Sequence, residues 1–121
     1  MVTIQTKRIY EPTAPADRFR ILVDRLWPRG VKKENAHIDL WAKEITPTTE
    51  LRKAYHAGLV PWPVFEAKYR AELLQNPALA SFVSTVRTQE AVTLLFAGKD
   101  AEHTHVTVIV AVLHEQLQLG K

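Results

Sequence analysis

Two continuous apolar runs constrain this chain more than any other feature. Ile21-Leu22-Val23 and Leu94-Leu95-Phe96 are separated by more than sixty residues whose apolar spacing is largely helical. A strand with one wet face alternates in polarity, whereas a strand covered on both faces reads as an unbroken apolar run. Two such strands with a long helical stretch between them imply parallel pairing through a crossover. The expected fold is therefore α/β: a small sheet with at least two parallel buried strands, packed by about five helices in a layered, Rossmann-like arrangement.

The other elements follow from local pattern. Val2, Ile4, Thr6 and Arg8 alternate with Thr3, Gln5, Lys7 and Ile9, which predicts a strand over 2–10 with a single apolar face at a sheet edge. Pro12, Pro15 and Asp17 predict a loop over 11–18, and Phe19–Trp27 reads as a buried strand stopped by Pro28 and Gly30. Only about eight residues join these two strands, fewer than the roughly dozen that a parallel connection between neighbours needs. The direction of the first strand is thereby left open. Asn35 as N-cap predicts a helix to Ile45 that places Ile38, Trp41 and Ile45 on one face. Further helices are expected over 47–56 (ending at Gly58), 61–75 and 77–87, and a strand over 91–97. Val106 to Leu117 fits either an alternating strand or a helix; its length and its Leu-His-Glu-Gln-Leu ending favour a helix stopped by Gly120.

A chain of 121 residues suits one domain, spanning 1–121. It has no cysteine, which removes disulfides, thiolate nucleophiles and cysteine metal sites and suits a reducing compartment. No secretory pattern opens it, and its longest apolar stretch, 106–113, is too short to cross a bilayer, so a cytoplasmic location without membrane contact is expected. Charge is uneven: residues 1–33 hold eight Lys and Arg against three acids, a balance of +5, while the remainder balances at −2. A basic third on a near-neutral body can meet phosphate, or can simply be a solvated face.

Both buried strands end in adjacent charges, Asp24-Arg25 and Lys99-Asp100. In open α/β sheets ligands gather beyond the carboxyl ends of the strands, so Arg25, Arg29 and Lys99 are candidate anion contacts and Asp100 a further ligand-binding candidate. Gly98-Lys99-Asp100 also precedes a helix, whose free N–H groups attract anions. Trp27, between two arginines, would wall the site. The plain alternative is that Asp24 and Arg25 form ion pairs that lock loops. Adjacent residues on a strand face opposite sides, so they should not pair with each other. Asp24 and His105 are the candidate acid–base groups; His56 is a second such histidine, or the last-turn cation of its helix. His103 and His105 have metal-like spacing only on a strand, and with no further ligand pattern no metal and no cofactor are expected.

The residues that carry these features are also those of a family. Lys7-Arg8-Ile9-Tyr10, Arg20 to Gly30 (RILVDRLWPRG), Trp41-Ala42-Lys43-Glu44-Ile45, Pro47 to Lys53, Phe65 with Tyr69, Thr93 to Ala97, and His103-Thr104-His105 together resemble the YeaO-like family, a branch of domain-of-unknown-function group 488. The likeness covers nearly the whole chain and departs from the family pattern at Thr104 and Val106. It implies a small bacterial or archaeal α/β domain, and it brings no substrate, cofactor or reaction.

Three functions compete. The first is a site for a small anionic ligand bearing phosphate or carboxylate, a nucleotide included, with Arg25, Arg29 and Lys99 holding the anion. The second is a nucleic-acid module using Lys7, Arg8, Arg18, Arg20, Lys32 and Lys33 as a phosphate footprint. The third is an interaction domain with no small-molecule site. Nothing in the sequence specifies an oligomeric state.

Overall fold

The structure, a computed structural model, describes residues 2–98 and 104–119. In chain order the elements are β1 (Thr3–Arg8), β2 (Phe19–Leu22), α1 (Lys33–Ala36), β3 (Leu40–Trp41), α2 (Thr49–His56), α3 (Trp62–Gln75), α4 (Leu79–Arg87), β4 (Ala91–Phe96) and α5 (His105–Leu119), with 3-10 turns at Pro15–Asp17 and Lys43–Ile45. One sheet runs in the order β1-β4-β2-β3, and every pairing in it is parallel. Among the described residues, no helix is long and apolar enough to cross a membrane.

The open question of the first strand resolves through this order. β1 and β2 are not neighbours; each flanks β4, so the short connection between them need only cross one strand. It does so on the sheet face that carries Gln5 and Thr93, and it is tied there: Thr93 Oγ1 donates to the Asp17 carbonyl at 2.7 Å and Gln5 Nε2 to the Ala16 carbonyl at 3.1 Å. β1 lies at the edge, as its single apolar face predicts.

The two sheet faces are covered differently because alternate residues face opposite sides. Ile21, Val92, Leu94 and Phe96 point into the helical layer, against Phe65, Tyr69 and Leu73 of α3, Phe82, Val83 and Val86 of α4, and Val106, Ile109, Val112 and Leu113 of α5. Side chains buried to this degree contribute about 1.5–3 kcal/mol each before chain entropy is charged against them. On the opposite face Leu22 and Leu95 meet Ile9, Trp27, Val31, Ile38 and Trp41, which belong mainly to loops.

Two sequence expectations fail in instructive ways. The helix over 35–45 is replaced by the one-turn α1, the two-residue β3 and a 3-10 turn. His37, at φ 51°, ends α1 in the left-handed region, and Asp39 then takes the edge of β2: its N–H donates to the Arg20 carbonyl and its carboxylate accepts the Arg20 N–H, both at 2.8 Å. The unpaired edge of a buried strand outweighs the helical spacing of Ile38, Trp41 and Ile45. The strand expected to reach Trp27 stops at Leu22, for reasons that define the site below.

One polar cluster is sealed under the loop face. Asp17 is 5% exposed and Arg20 4%, and the two are ion-paired; Lys7 Nζ adds bonds of 3.0 and 3.1 Å to the same carboxylate. Arg20 is completed by the Ala36 and His37 carbonyls. Burial pulls the Asp17 carboxyl upward, but the Ala14 N–H and the two cations outweigh it and hold the group below its ordinary 3.8. Its stabilisation is therefore full above about pH 3.8 and is lost as pH falls through the lowered folded value. Asp17→Asn should lower the unfolding free energy at pH 7 by about 3–5 kcal/mol in urea titrations, because Arg20 is left buried without its counter-charge. The same variant should also lose the part of the acid-unfolding limb below pH 4 that Asp17 generates, which a stability-versus-pH series would detect.

Candidate functional site

Because the sheet is parallel, β1, β4 and β2 deliver their carboxyl ends to one rim. The chain leaves β1 and β2 toward the loop face, where Ile9 and Trp27 pack, and the next described element after β4, α5, packs on the helical face. Opposed exits of this kind open a crevice at the strand ends. A hollow of about 440 Å³ lies there, within the range of small-ligand pockets. It is lined from the strand ends by Tyr10, Asp24–Arg29, Ala97 and Gly98, and from the helical side by Thr46, Pro47, Arg52, Tyr55, His56, Phe65, Thr104 and His105.

The crevice exists because the ladder between β2 and β4 is cut by side chains. Val23 N–H still donates to the Leu95 carbonyl at 3.0 Å, and the next parallel rung would join Ala97 N–H to the Val23 carbonyl. Instead Ala97 N–H donates to Asp24 Oδ2 at 2.8 Å, and the Val23 carbonyl receives His105 Nε2 at 2.7 Å. Asp24 Oδ1 also lies 3.2 Å from that nitrogen. Since both neighbours of Nε2 are acceptors, Nε2 carries a proton, and a neutral His105 keeps its lone pair on Nδ1. The Asp24 carbonyl in turn accepts the Trp41 indole N–H at 2.7 Å, turning the chain out of the strand.

Arg25 does not pair with Asp24. Its Nε donates to the Pro47 carbonyl at 3.1 Å and its Nη2 to the Thr46 carbonyl at 3.3 Å, so it ties the turn before α2 to the end of β2. These partners are neutral, and the guanidinium keeps its charge facing the hollow. Arg25 also lines a second hollow of about 270 Å³ with Glu44, Thr48, Tyr69, Glu72 and Asn76. Tyr69 donates to the Ile45 carbonyl at 2.6 Å; burial pushes its phenol far up, with Glu72 adding and Arg25 opposing, so it stays a donor.

Trp27 is held rigidly: its indole N–H donates to the Val31 carbonyl at 2.6 Å and its ring meets Trp41 edge-on at 5.3 Å. The Arg29 side chain is exposed at the mouth, and its carbonyl accepts the Tyr10 hydroxyl at 3.0 Å. Lys99, Asp100 and His103 lie outside the described residues. Of the proposed phosphate footprint, Lys7 and Arg20 turn inward to Asp17, and Arg8 donates to the Ala97 and Gly98 carbonyls at 2.9 Å. Arg18, Lys32 and Lys33 are exposed.

Sequence reasoning passed over Arg52. α2 is capped by Thr48, whose Oγ1 accepts the Leu51 N–H, and Thr48 donates to Glu72 of α3 at 2.9 Å. The helix so fixed turns Arg52 and His56, four residues apart on one face, into the hollow. That i, i+4 spacing of Arg52 and His56 is the signal that could have found it. Arg52 Nε is buried and has no hydrogen-bond partner among the described residues. Leaving such a donor unserved costs about 1–3 kcal/mol, and more when the group is charged.

A family model described as the inactive DUF488-N3 subclade matches residues 3–121. The chain belongs to this family. It is 44% identical over 108 residues to the uncharacterized protein YeaO of Escherichia coli K12, covering 89% of this chain and 94% of that protein. An uncharacterized protein of Mycobacterium tuberculosis H37Rv is 32% identical over 111 residues, covering 92% of this chain and 93% of that one. No solved structure matches significantly.

Arg25→Ala should still fold, with an unfolding free energy lower by about 2 kcal/mol in urea titrations, because the buried Thr46 carbonyl and its neighbour at Pro47 lose their charged donor.

Proposed function

We propose that this family member binds a small anion, bearing phosphate or carboxylate, in the hollow at the carboxyl ends of β1, β4 and β2, and holds it without turnover. The observation that carries the reading is the charge lining the hollow. Arg25, Arg29 and Arg52 all line it, and among the described residues none has a carboxylate within 4.0 Å. Asp24 lines the hollow too, but its oxygens are taken by Ala97 N–H and His105. An anion entering there meets three guanidinium groups that still want a counter-charge, beside apolar walls that strengthen the attraction.

Trp27 walls the site, and Lys99 and Asp100, which follow Gly98 in the chain, are further proposed contacts. Asp24 and His105 are given a holding role: their shared hydrogen bonds close the ends of β2 and β4, which leaves little freedom for acid–base work. The family description, inactive, supports the same reading. A nucleic-acid footprint is served less well, since three of its six cations are engaged within the fold. An interaction domain with no ligand site gives no reason for cations gathered around a hollow.

Binding is tested by melting the protein in phosphate, sulfate and acetate series at constant ionic strength. A saturable rise in Tm is expected with at least one of them. Arg29→Ala should trim that rise only in part while leaving the ligand-free Tm unchanged, because its side chain is exposed and screened by water. A flat Tm across all three anions would sink the proposal.

A further inference from the structure

We infer that Arg52 is the group that grips the anion, and that the ligand is a phosphomonoester carried on a flat ring. The inference rests on the anion-binding reading above and narrows it to one residue and one ligand class. Arg25 spends Nε and one terminal nitrogen on carbonyl oxygens, so its freedom to follow a ligand is small. Arg29 stands exposed at the mouth, where water screens it. Arg52 differs from both. It is half-buried in the wall, its Nε is sheltered from water, and nothing in the described structure accepts from that nitrogen. Buried polar groups in native proteins are nearly always bonded, so an unserved Nε shows that no residue of the described fold has claimed this guanidinium. The guanidinium fork matches two oxygens of a carboxylate or phosphate side by side, and its two terminal nitrogens, which have no partner among the described residues, are the tines the hollow can reach.

Charge selects between those two anions. The described lining residues carry three arginines against Asp24, a surplus of two positive charges among the Arg and Asp side chains. A phosphomonoester brings about −1.5 to −2 near pH 7, whereas a carboxylate brings one negative charge and leaves cations facing each other. Shape supplies the rest. The hollow, about 440 Å³, greatly exceeds what an inorganic ion fills. Its walls include the rings of Trp27, Tyr55 and Phe65, with Tyr55 and Phe65 centroids 4.7 Å apart and Trp27 fixed against Trp41. Rigid aromatic faces beside an anion grip favour a ligand whose non-ionic part is a planar ring.

The test is calorimetric titration of the full chain with phenyl phosphate, inorganic phosphate and benzoate. Phenyl phosphate is expected to bind about tenfold or more tightly than either of the others. Arg52→Met should weaken phenyl phosphate about tenfold or more while its ligand-free Tm equals or exceeds that of the wild type, since an unserved buried donor is removed. Arg52→Lys, which keeps the charge without the fork, should recover only part of the affinity and covers the case in which Arg52→Met fails to fold. Benzoate binding as tightly as phenyl phosphate overturns the phosphate assignment, and inorganic phosphate doing so overturns the ring. Wild-type affinity in Arg52→Met or Arg52→Lys overturns the grip. Benzoate binding without phenyl phosphate would leave the anion cleft standing and this inference fallen, whereas no binding by any of the three removes both.

Discussion

The exchange of one backbone rung for two side chains, where β2 and β4 part, organises this protein. Up to Leu95 the strands share a regular parallel ladder; beyond it Asp24 takes the Ala97 N–H and His105 takes the Val23 carbonyl. Both backbone groups of the missing rung are still served, so the sheet can open there without orphaning that donor and acceptor. The same bonds hold the start of α5 against the end of β2 and turn Asp24–Arg29 outward. Strand ends, a helix start and a Trp-Pro-Arg turn thus converge on one rim because three hydrogen bonds leave no regular ladder to follow.

Charge is divided between two places that do different work. On the loop face the Lys7, Asp17 and Arg20 groups are sealed together, each with partners, and their value is structural. At the strand ends the arginines are held by neutral carbonyls or by none, and Asp24 is spent on the backbone and His105. A low-dielectric crevice in which positive charge is incompletely answered raises the local potential for an anion. The basic N-terminal third, taken as one block, conceals this division. Half of its apparent phosphate footprint holds the chain together.

The resemblance and the family assignment agree in covering nearly the whole chain, and both leave chemistry open. Two of the segments that carry the likeness, Arg20 to Gly30 and Pro47 to Lys53, are stitched together by Arg25 through the Pro47 carbonyl and that of Thr46 just before it. The first builds the strand-end turn, and the second starts the helix that carries Arg52.

The strands over 3–8 and 91–96 and the helices over 49–56, 62–75, 79–87 and 105–119 were all legible in one dimension. Each is set by the period of apolar residues and by nearby stops such as Pro77 and Gly58. The 35–45 segment was not legible, because its apolar spacing satisfies a helix while its fate depends on a strand edge formed fifteen or more residues away. Arg52 was legible only in its spacing from His56: beside Lys53 in the chain it reads as one more surface cation, and only the packing of α2 shows its Nε walled in and unserved. Local sequence determines which segments curl and which extend, since those preferences act within a few residues. Strand order, the cut ladder and the choice of which cations stay unanswered are decided by contacts between distant segments, which only the folded chain brings together.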